Sequence, residues 1–411
     1  MATVPLPRVE IVELRQVRSR QLAPLFEEQQ RAWQEELRWD YKPSLGLIKK
    51  HIDARALPGY VALLGGEVAG YCFFVYEEVT CAQGAPGGQK GLIGDLFVRQ
   101  AYRPSQSFGT RLAPPPIPQS GNGSGLATQL LEHALETLEG SRGVVRMEAQ
   151  VMPFGIEPLA PVFLAHNFRS YPRLFMYRGL KKPAAEATGL NGGVDRAPER
   201  TAADRAWEIE RWDDGYFEPL AELIVAAYAG HIDSHINDQY GTRDGALKFL
   251  KNIVVFPGCG MFRPEASLVV PLGGRPPSGP GDQDPVAGAT GLDIKMAPPA
   301  DTSSRFTVHG SRFTPLAGAL LVSQVAPHIA HITQVCVRPE VRGRGLGRQL
   351  LARTLDTLRQ KGYEGVSLSV TADNPPAVGL YRHFGFEVLK RFAAYVREKP
   401  PVVRWGPPGV S

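Results

Sequence analysis

An α/β fold used twice is what the sequence predicts, and three observations carry that prediction. A β-branched run ending at Val335–Val337 passes through the glycine-rich turn Arg342-Gly343-Arg344-Gly345-Leu346-Gly347 into a helix opening at Leu346-Gly347-Arg348-Gln349-Leu350-Leu351. The same succession recurs earlier: Gly94-Asp95-Leu96-Phe97-Val98 parallels Thr333-Gln334-Val335-Cys336-Val337, and Gly125-Leu126-Ala127-Thr128-Gln129-Leu130-Leu131 parallels Gly345 to Leu351. Finally, 411 residues with 43% hydrophobic and 21% charged side chains suffice for more than one buried core.

The elements follow in order. Val9–Leu14 reads as a strand, Arg20–Leu37 as a helix by its apolar spacing, and Leu45–Ala54 as a shorter helix. Tyr60–Leu64 and Val68–Tyr76, joined by Gly65-Gly66, carry a hairpin signal. In the second half, Trp207–Arg211, Phe217–Tyr228 and Asp244–Asn252 repeat the strand and the two helices. There the hairpin is interrupted between Val270 and Ala319 by a Gly/Pro-rich insertion. The turn of the first repeat is stretched between Arg103 and Gly125 and includes Pro114-Pro115-Pro116, whereas only Gly343-Arg344 separate Arg342 from Gly345. The expected organisation is an N-terminal domain at 1–181, a linker at 182–205, a C-terminal domain at 206–399 with its insertion at 271–316, and a loose tail at 400–411.

A strand running through glycines into a helix N-terminus exposes several backbone N–H groups in one concave patch, which suits a diphosphate. The dinucleotide fingerprint would need a third glycine where Arg348 stands, and the nucleotide-triphosphate loop would need Gly-Lys-Ser/Thr, which is absent. A glycine-rich cap with no ligand is the plainer alternative. Arg342-x-x-Gly345-x-Gly347 resembles the acyl-CoA pyrophosphate loop of the GNAT superfamily of N-acyltransferases. Downstream, the strand Gly365–Val370, then Asn374, Tyr381 and Phe384-Gly385-Phe386 stand in the superfamily's order.

The resemblance implies two tandem GNAT-like domains, each a central mixed β-sheet flanked by helices, with acetyl-CoA as acyl-donor co-substrate and no metal. It implies that the backbone of Val335, Cys336 and Val337 holds the pantetheine arm, with the Val337 N–H as oxyanion donor. Arg342, Gly343, Arg344, Gly345, Leu346, Gly347 and Arg348 would hold the diphosphate, and Asn374 would touch pantetheine or diphosphate. Tyr381 would protonate the leaving thiolate. His331 is the expected base: strand parity places it on one face with Val335 and Val337, and histidine titrates near neutrality. The first repeat has Phe163 in the tyrosine's place, Ile156 near the asparagine's and Leu92 at the histidine's, so it is expected to be degenerate.

Composition removes other classes. The four cysteines include no Cys-x-x-Cys pair, which disfavours a zinc site and a disulfide framework and fits a reducing compartment. Neither a secretory leader nor an apolar run of spanning length is read, so a cytoplasmic protein without a membrane partner is expected. The net charge of +5 is spread thinly, so nucleic acid is not an expected partner. In His231-Ile232-Asp233-Ser234-His235 the spacing suggests a metal only weakly, and the resemblance implies acceptor recognition there. The expected function is acetyl transfer from CoA to a primary amine on a small molecule or peptide. A CoA-binding sensor without turnover is the alternative.

Overall fold

A computed structural model of the chain describes residues 8–80, 86–103, 125–180, 207–255, 259–272 and 314–398. The expected linker, the body of the insertion at 271–316 and the tail lie outside the described residues. The first repeat contains β1 (Val9–Glu13), α1 (Ala23–Leu37), α2 (Lys42–Asp53), β2 (Gly59–Leu64), β3 (Glu67–Thr80), β4 (Pro86–Val98), α3 (Leu126–Gly140), β5 (Val144–Ala149), α4 (Ala160–Ala165) and β6 (Arg169–Gly179). The second contains β7 (Glu210–Arg211), α5 (Phe217–Tyr228), α6 (Asp233–Ile236), α7 (Arg243–Val254), β8 (Met261–Phe262), β9 (Leu268–Pro271), β10 (Leu316–Ala326), β11 (Ile329–Val337), α8 (Leu346–Gln360), β12 (Gly365–Thr371), α9 (Pro375–His383) and β13 (Glu387–Glu398). The hairpin read at Gly65-Gly66 forms with φ of +60° and +84°, the left-handed pair that a two-residue turn between twisted strands requires.

All strands join one mixed 13-stranded sheet, ordered β1-β2-β3-β4-β5-β13-β6-β12-β11-β10-β9-β7, with β8 against β10. Each repeat gives its last strand to the other. β6 runs antiparallel to β12 from Gly179↔Gly365 to Arg173↔Thr371, and β13 runs antiparallel to β5 from Ala149↔Tyr395 to Arg146↔Glu398. The two exchanged strands pair with each other in the middle of the sheet. The covalent halves expected at 1–181 and 206–399 therefore share a sheet that neither closes alone.

Helices cover both faces. In the first repeat, α3 and α4 pack over Ala62, Cys72, Ile93 and Met147, while α1 and α2 pack over Val61, Tyr71 and Phe97. In the second, α8 and α9 pack over Leu320, Ile332 and Leu368, while α5 and α7 pack over Val269, Leu321 and Cys336. Burying these side chains supplies the driving force, at roughly 1.5–3 kcal/mol each for the larger ones.

The repeats agree down to one irregularity. Leu321 pairs with Gln334 but Val322 pairs with Ile332, so Thr333 is an extra residue in β11. Phe73 pairs with Asp95 but Phe74 pairs with Ile93, so Gly94 is the extra residue in β4. The two bulges fall on residues that the internal alignment equates.

Candidate active site

The bulge in β11 is where the site begins. Strand β11 pairs with β12 in parallel only from Ile329↔Gly365 to Ile332↔Leu368, and the two strands then diverge. Past the bulge, the N–H of Arg338 donates to Ala317 O in β10 at 2.8 Å, so strand alternation turns the backbone of Val335 and Val337 toward the gap. The Tyr228 hydroxyl meets the Val335 carbonyl at 3.5 Å and Arg342 Nε donates to the Val337 carbonyl at 3.2 Å, both from that side. The gap widens into a cavity of about 780 Å³.

At one end lies the glycine turn. Gly343 and Gly345 have φ of +73° and +77°, the left-handed region where a side chain is strained, and Gly345 caps α8. No side chain caps that helix, so its first-turn N–H groups are left for a ligand. Gly343, Gly345, Leu346, Gly347 and Arg348 all line the cavity. Arg342 is anchored by donating to the Ala227 carbonyl, and Arg348 Nη2 lies 3.2 Å from His383 Nε2. Two guanidiniums and a helix N-terminus together give this end positive potential.

At the inner end stands Tyr381, buried at 8% exposure with its ring edge-on to Phe386 at 5.8 Å. Burial, with the Asp233 charge second, pushes its phenol well above the usual range, so it stays protonated and able to donate. Asn374 caps α9 by accepting the Ala377 N–H at 3.3 Å, and its Nδ2 lies 3.3 Å from His231 Nε2. Tyr228 stacks on Tyr240 at 4.2 Å and accepts a hydrogen bond from Gln334 Nε2 at 3.0 Å. Asp233, from α6, accepts from the Thr371 hydroxyl and lies 3.6 Å from Arg173 Nη1. The Cys336 thiol is pushed up to about 12 by burial, which leaves it unreactive.

The expectation for His331 is corrected by its surroundings. It does not line the cavity; its ring stacks on Phe175 at 5.9 Å and meets Trp39 edge-on at 5.0 Å, with Nδ1 2.9 Å from Ser367 Oγ. Burial pushes it down to about 3, so it is neutral and sequestered. Parity failed because Thr333 is the bulge residue, and one inserted residue moves everything beyond it to the opposite face. Arg344 lies exposed on the turn and is not among the residues that line the cavity. Val335, Cys336, Val337, Arg342, Gly343, Gly345, Leu346, Gly347, Arg348, Asn374 and Tyr381 all converge on it.

Sequence reasoning missed what the first repeat contributes. Gln150 and Arg173, the latter on the exchanged β6, both line the cavity. Arg146 Nη2 donates to the His235 carbonyl at 2.8 Å and Lys90 Nζ to Asp238 at 2.7 Å, tying down the segment that carries Asp233. Arg146 and Lys90 also contact Glu148, at 2.5 and 3.6 Å, so both buried cations are compensated. Of the His231–Tyr240 cluster, His231, Asp233, Asn237 and Tyr240 face the cavity, while His235 is exposed. No local pattern could have indicated Arg173, because its neighbours come from the other repeat.

The equivalent place in the first repeat is filled. The N–H of Thr128, in the first turn of α3, donates to Glu157 Oε1 at 2.8 Å, and a Cβ on Gly125 would meet that oxygen at 2.3 Å. Residues 150–159 also bring Phe154 onto Phe97 at 6.0 Å. Phe163 is fully buried, stacked on Tyr395 at 4.0 Å.

Comparison with known proteins agrees with this geometry. Residues 302–386, the segment that holds the bulge, glycine turn and tyrosine, match the acetyltransferase (GNAT) family. The chain is similar to the mycothiol acetyltransferase of Saccharomonospora viridis, 39% identical over 69 residues, covering 17% of this chain and 22% of that protein. It is also similar to a putative ribosomal protein bS18 alanine N-acetyltransferase of Bacillus subtilis, 38% identical over 58 residues, covering 14% of this chain and 38% of that protein. The chain thus spans well under half the length of either relative. Among solved structures, the GCN5-related glucosamine N-acetyltransferase region of a fungal GH3 β-N-acetylglucosaminidase shares the fold, with a TM-score of 0.54 at 13% identity, over 97% of this chain and 39% of that one. No described helix is long and apolar enough to cross a membrane.

Proposed function

We propose that the chain is an N-acetyltransferase that passes an acetyl group from acetyl-CoA directly to an amine within the second repeat. The observation that carries this reading is the uncapped N-terminus of α8 opening, through two left-handed glycines, onto the gap between β11 and β12. The diphosphate sits against the N–H groups of Gly343 to Arg348, with Arg342 and Arg348 supplying positive charge. The pantetheine arm runs along the edge of Val335 and Val337 that pairs with no neighbouring strand, beside Asn374. The Val337 N–H faces the thioester oxygen; one such fixed donor is worth about 3–4 kcal/mol to the transition state. Tyr381 donates its proton to the departing thiolate.

The first repeat, 1–181, serves as a silent scaffold for the second, 206–399, by lending β6 and clamping the acceptor wall. The acceptor is a small-molecule or peptide amine, and no metal takes part. Titration calorimetry of the full chain with acetyl-CoA tests the reading, followed by incubation with pooled amines, including peptides with an N-terminal alanine, read by mass spectrometry. Binding of one acetyl-CoA per chain and an acetylated amine are expected; absence of binding refutes the proposal. Binding without any acetylated product or slow thiol release would leave only a sensor.

A further inference from the structure

With His331 outside the cavity the proton acceptor must be another side chain, and among the cavity-lining residues, which include His231, one side chain is a carboxylate. It belongs to Asp233. We infer that Asp233 receives the acceptor as its ammonium form and takes the proton that must leave before the nitrogen can attack. This rests on the acetyl-transfer reading above.

The geometry supports that role on both sides of the carboxylate. Oδ1 is engaged by the Thr371 hydroxyl and lies 3.6 Å from Arg173 Nη1, whereas Oδ2 faces His231 Nδ1 only at 3.7 Å, beyond hydrogen-bond range. One oxygen is thus held and the other is left for a ligand. Arg173 Nη1 also donates to Thr371 Oγ1 at 3.2 Å, so the exchanged strand β6 and the end of β12 fix the carboxylate's orientation together. Asp233 is close enough to Tyr381 for its charge to act on the phenol, which sets a proton acceptor and a proton donor at the same inner end of the cavity. Tyr228 and Tyr240 line the same cavity, and burial first, with the Asp233 charge second, holds the Tyr240 hydroxyl protonated.

The step balances as follows. The ammonium gives one proton to Asp233 Oδ2, and the neutral nitrogen forms a bond to the thioester carbonyl carbon. The C–S bond breaks, and its electron pair leaves on sulfur, which takes the Tyr381 proton. The second nitrogen proton is lost as the amide forms, returning the phenol to its neutral state through solvent. Asp233 then releases its proton to water. Arg173 and Thr371 are positioning residues.

The test compares two acceptors, methylamine and hydroxylamine, with the full chain and acetyl-CoA near neutral pH. Methylamine is almost wholly protonated there and hydroxylamine almost wholly neutral, so only the first needs its initial proton removed. Asp233→Asn keeps the Thr371 contact and is expected to lower transfer to methylamine by about 10²-fold, with a loss at least about tenfold smaller for hydroxylamine. Thr371→Val, which only loosens the carboxylate, is expected to show the same skew more weakly and guards against a folding defect in the first variant. Equal losses for both acceptors would mark Asp233 as structural and overturn the inference. So would a skew produced by His231→Gln but not by Asp233→Asn. Failure of the parental protein to acetylate either amine while binding acetyl-CoA would also overturn it, since a carboxylate with a free oxygen in the cavity serves any small amine that reaches it. Loss of acetyl-CoA binding in the parental protein would instead refute the acetyl-transfer reading itself.

Discussion

Two helix N-termini, α3 at Gly125 and α8 at Gly345, stand at equivalent points of the two repeats and meet opposite fates. The first meets a side chain of its own repeat: Glu157 Oε1 accepts the Thr128 N–H and lies where a Cβ on Gly125 would stand. The second opens onto a cavity of about 780 Å³ lined by glycines, arginines and a buried tyrosine. Both strands bulge at the same place and both diverge from a parallel neighbour beyond it, at Ile93↔Ala149 and Ile332↔Leu368. The backbone design is therefore common, and the two helix starts differ in the side chain that meets them. The first repeat also reaches the second one's cavity wall, through Lys90, Arg146 and Arg173.

The largest expected effect breaks the open end. A Cβ at Gly347 would make only ordinary contacts, 3.8 Å to Leu380 and 3.9 Å to Val337, so Gly347→Glu should fold normally while its carboxylate takes the place of the diphosphate. Acetyl-CoA affinity is expected to fall by more than about 10²-fold, roughly 3 kcal/mol, as measured by calorimetry. Gly345→Glu should do the same but also unfold at lower temperature, because its φ of +77° strains any side chain. Undiminished affinity in Gly347→Glu would remove the contrast between the two helix ends.

Tyr381→Phe gives the second repeat the ring that the first carries at Phe163. Acetyl-CoA binding should survive, while kcat falls by about 10²–10³ with loss of the positioned proton donor. Steady-state rates together with calorimetry separate the two effects, and an unchanged kcat would free Tyr381 from any chemical role.

A third contrast concerns His331, whose equivalent in the first repeat is Leu92. The unfolded chain protonates this histidine near its ordinary 6.5 and the folded chain only near about 3. The stability gained by keeping it neutral is thus complete above 6.5 and is lost as pH falls toward 3. At about pH 5 the loss should reach about 2 kcal/mol. Thermal melts against pH are expected to show this acid limb in the parental protein and a flatter one in His331→Leu. Equal limbs would mean that the ring is not buried as described.

Smaller effects probe the support and the plug. Asp238→Asn weakens the tie to Lys90 and should raise the acceptor KM several-fold, about 1 kcal/mol, with acetyl-CoA affinity unchanged. Glu157→Gln removes a favourable charge from the start of α3 and should cost about 0.3–1 kcal/mol in chemical denaturation. Calorimetry should still count one acetyl-CoA per chain, and a second site appearing in this variant would show that the plug alone silences the first repeat.

Much of the site was legible because its chemistry is local. The turn from Arg342 to Arg348, Asn374 and Tyr381 lie within two short strand–helix passages, and local spacing suffices to bring such residues to one opening. His331 was misassigned for an equally local reason, since period-two counting assumes an unbroken strand and Thr333 breaks it. Trp39 and Phe175, which bury that histidine, are distant in the chain. Asp233 belonged to a polar cluster already apparent in the sequence, but nothing there separated it from the exposed His235.

By itself the sequence determined that one α/β plan is used twice, where its glycine turns fall, and that only the second repeat keeps a tyrosine. These follow from periodicity, glycine's access to left-handed backbone and side-chain chemistry, all carried by neighbouring residues. Tertiary structure alone decided that β6 and β13 change places, that Arg173 therefore reaches the second repeat's cavity, and that Glu157 closes the first helix end. Those outcomes depend on strand pairing and ion contacts between residues far apart in sequence, where the energy of an arrangement exists only once the chain has closed on itself.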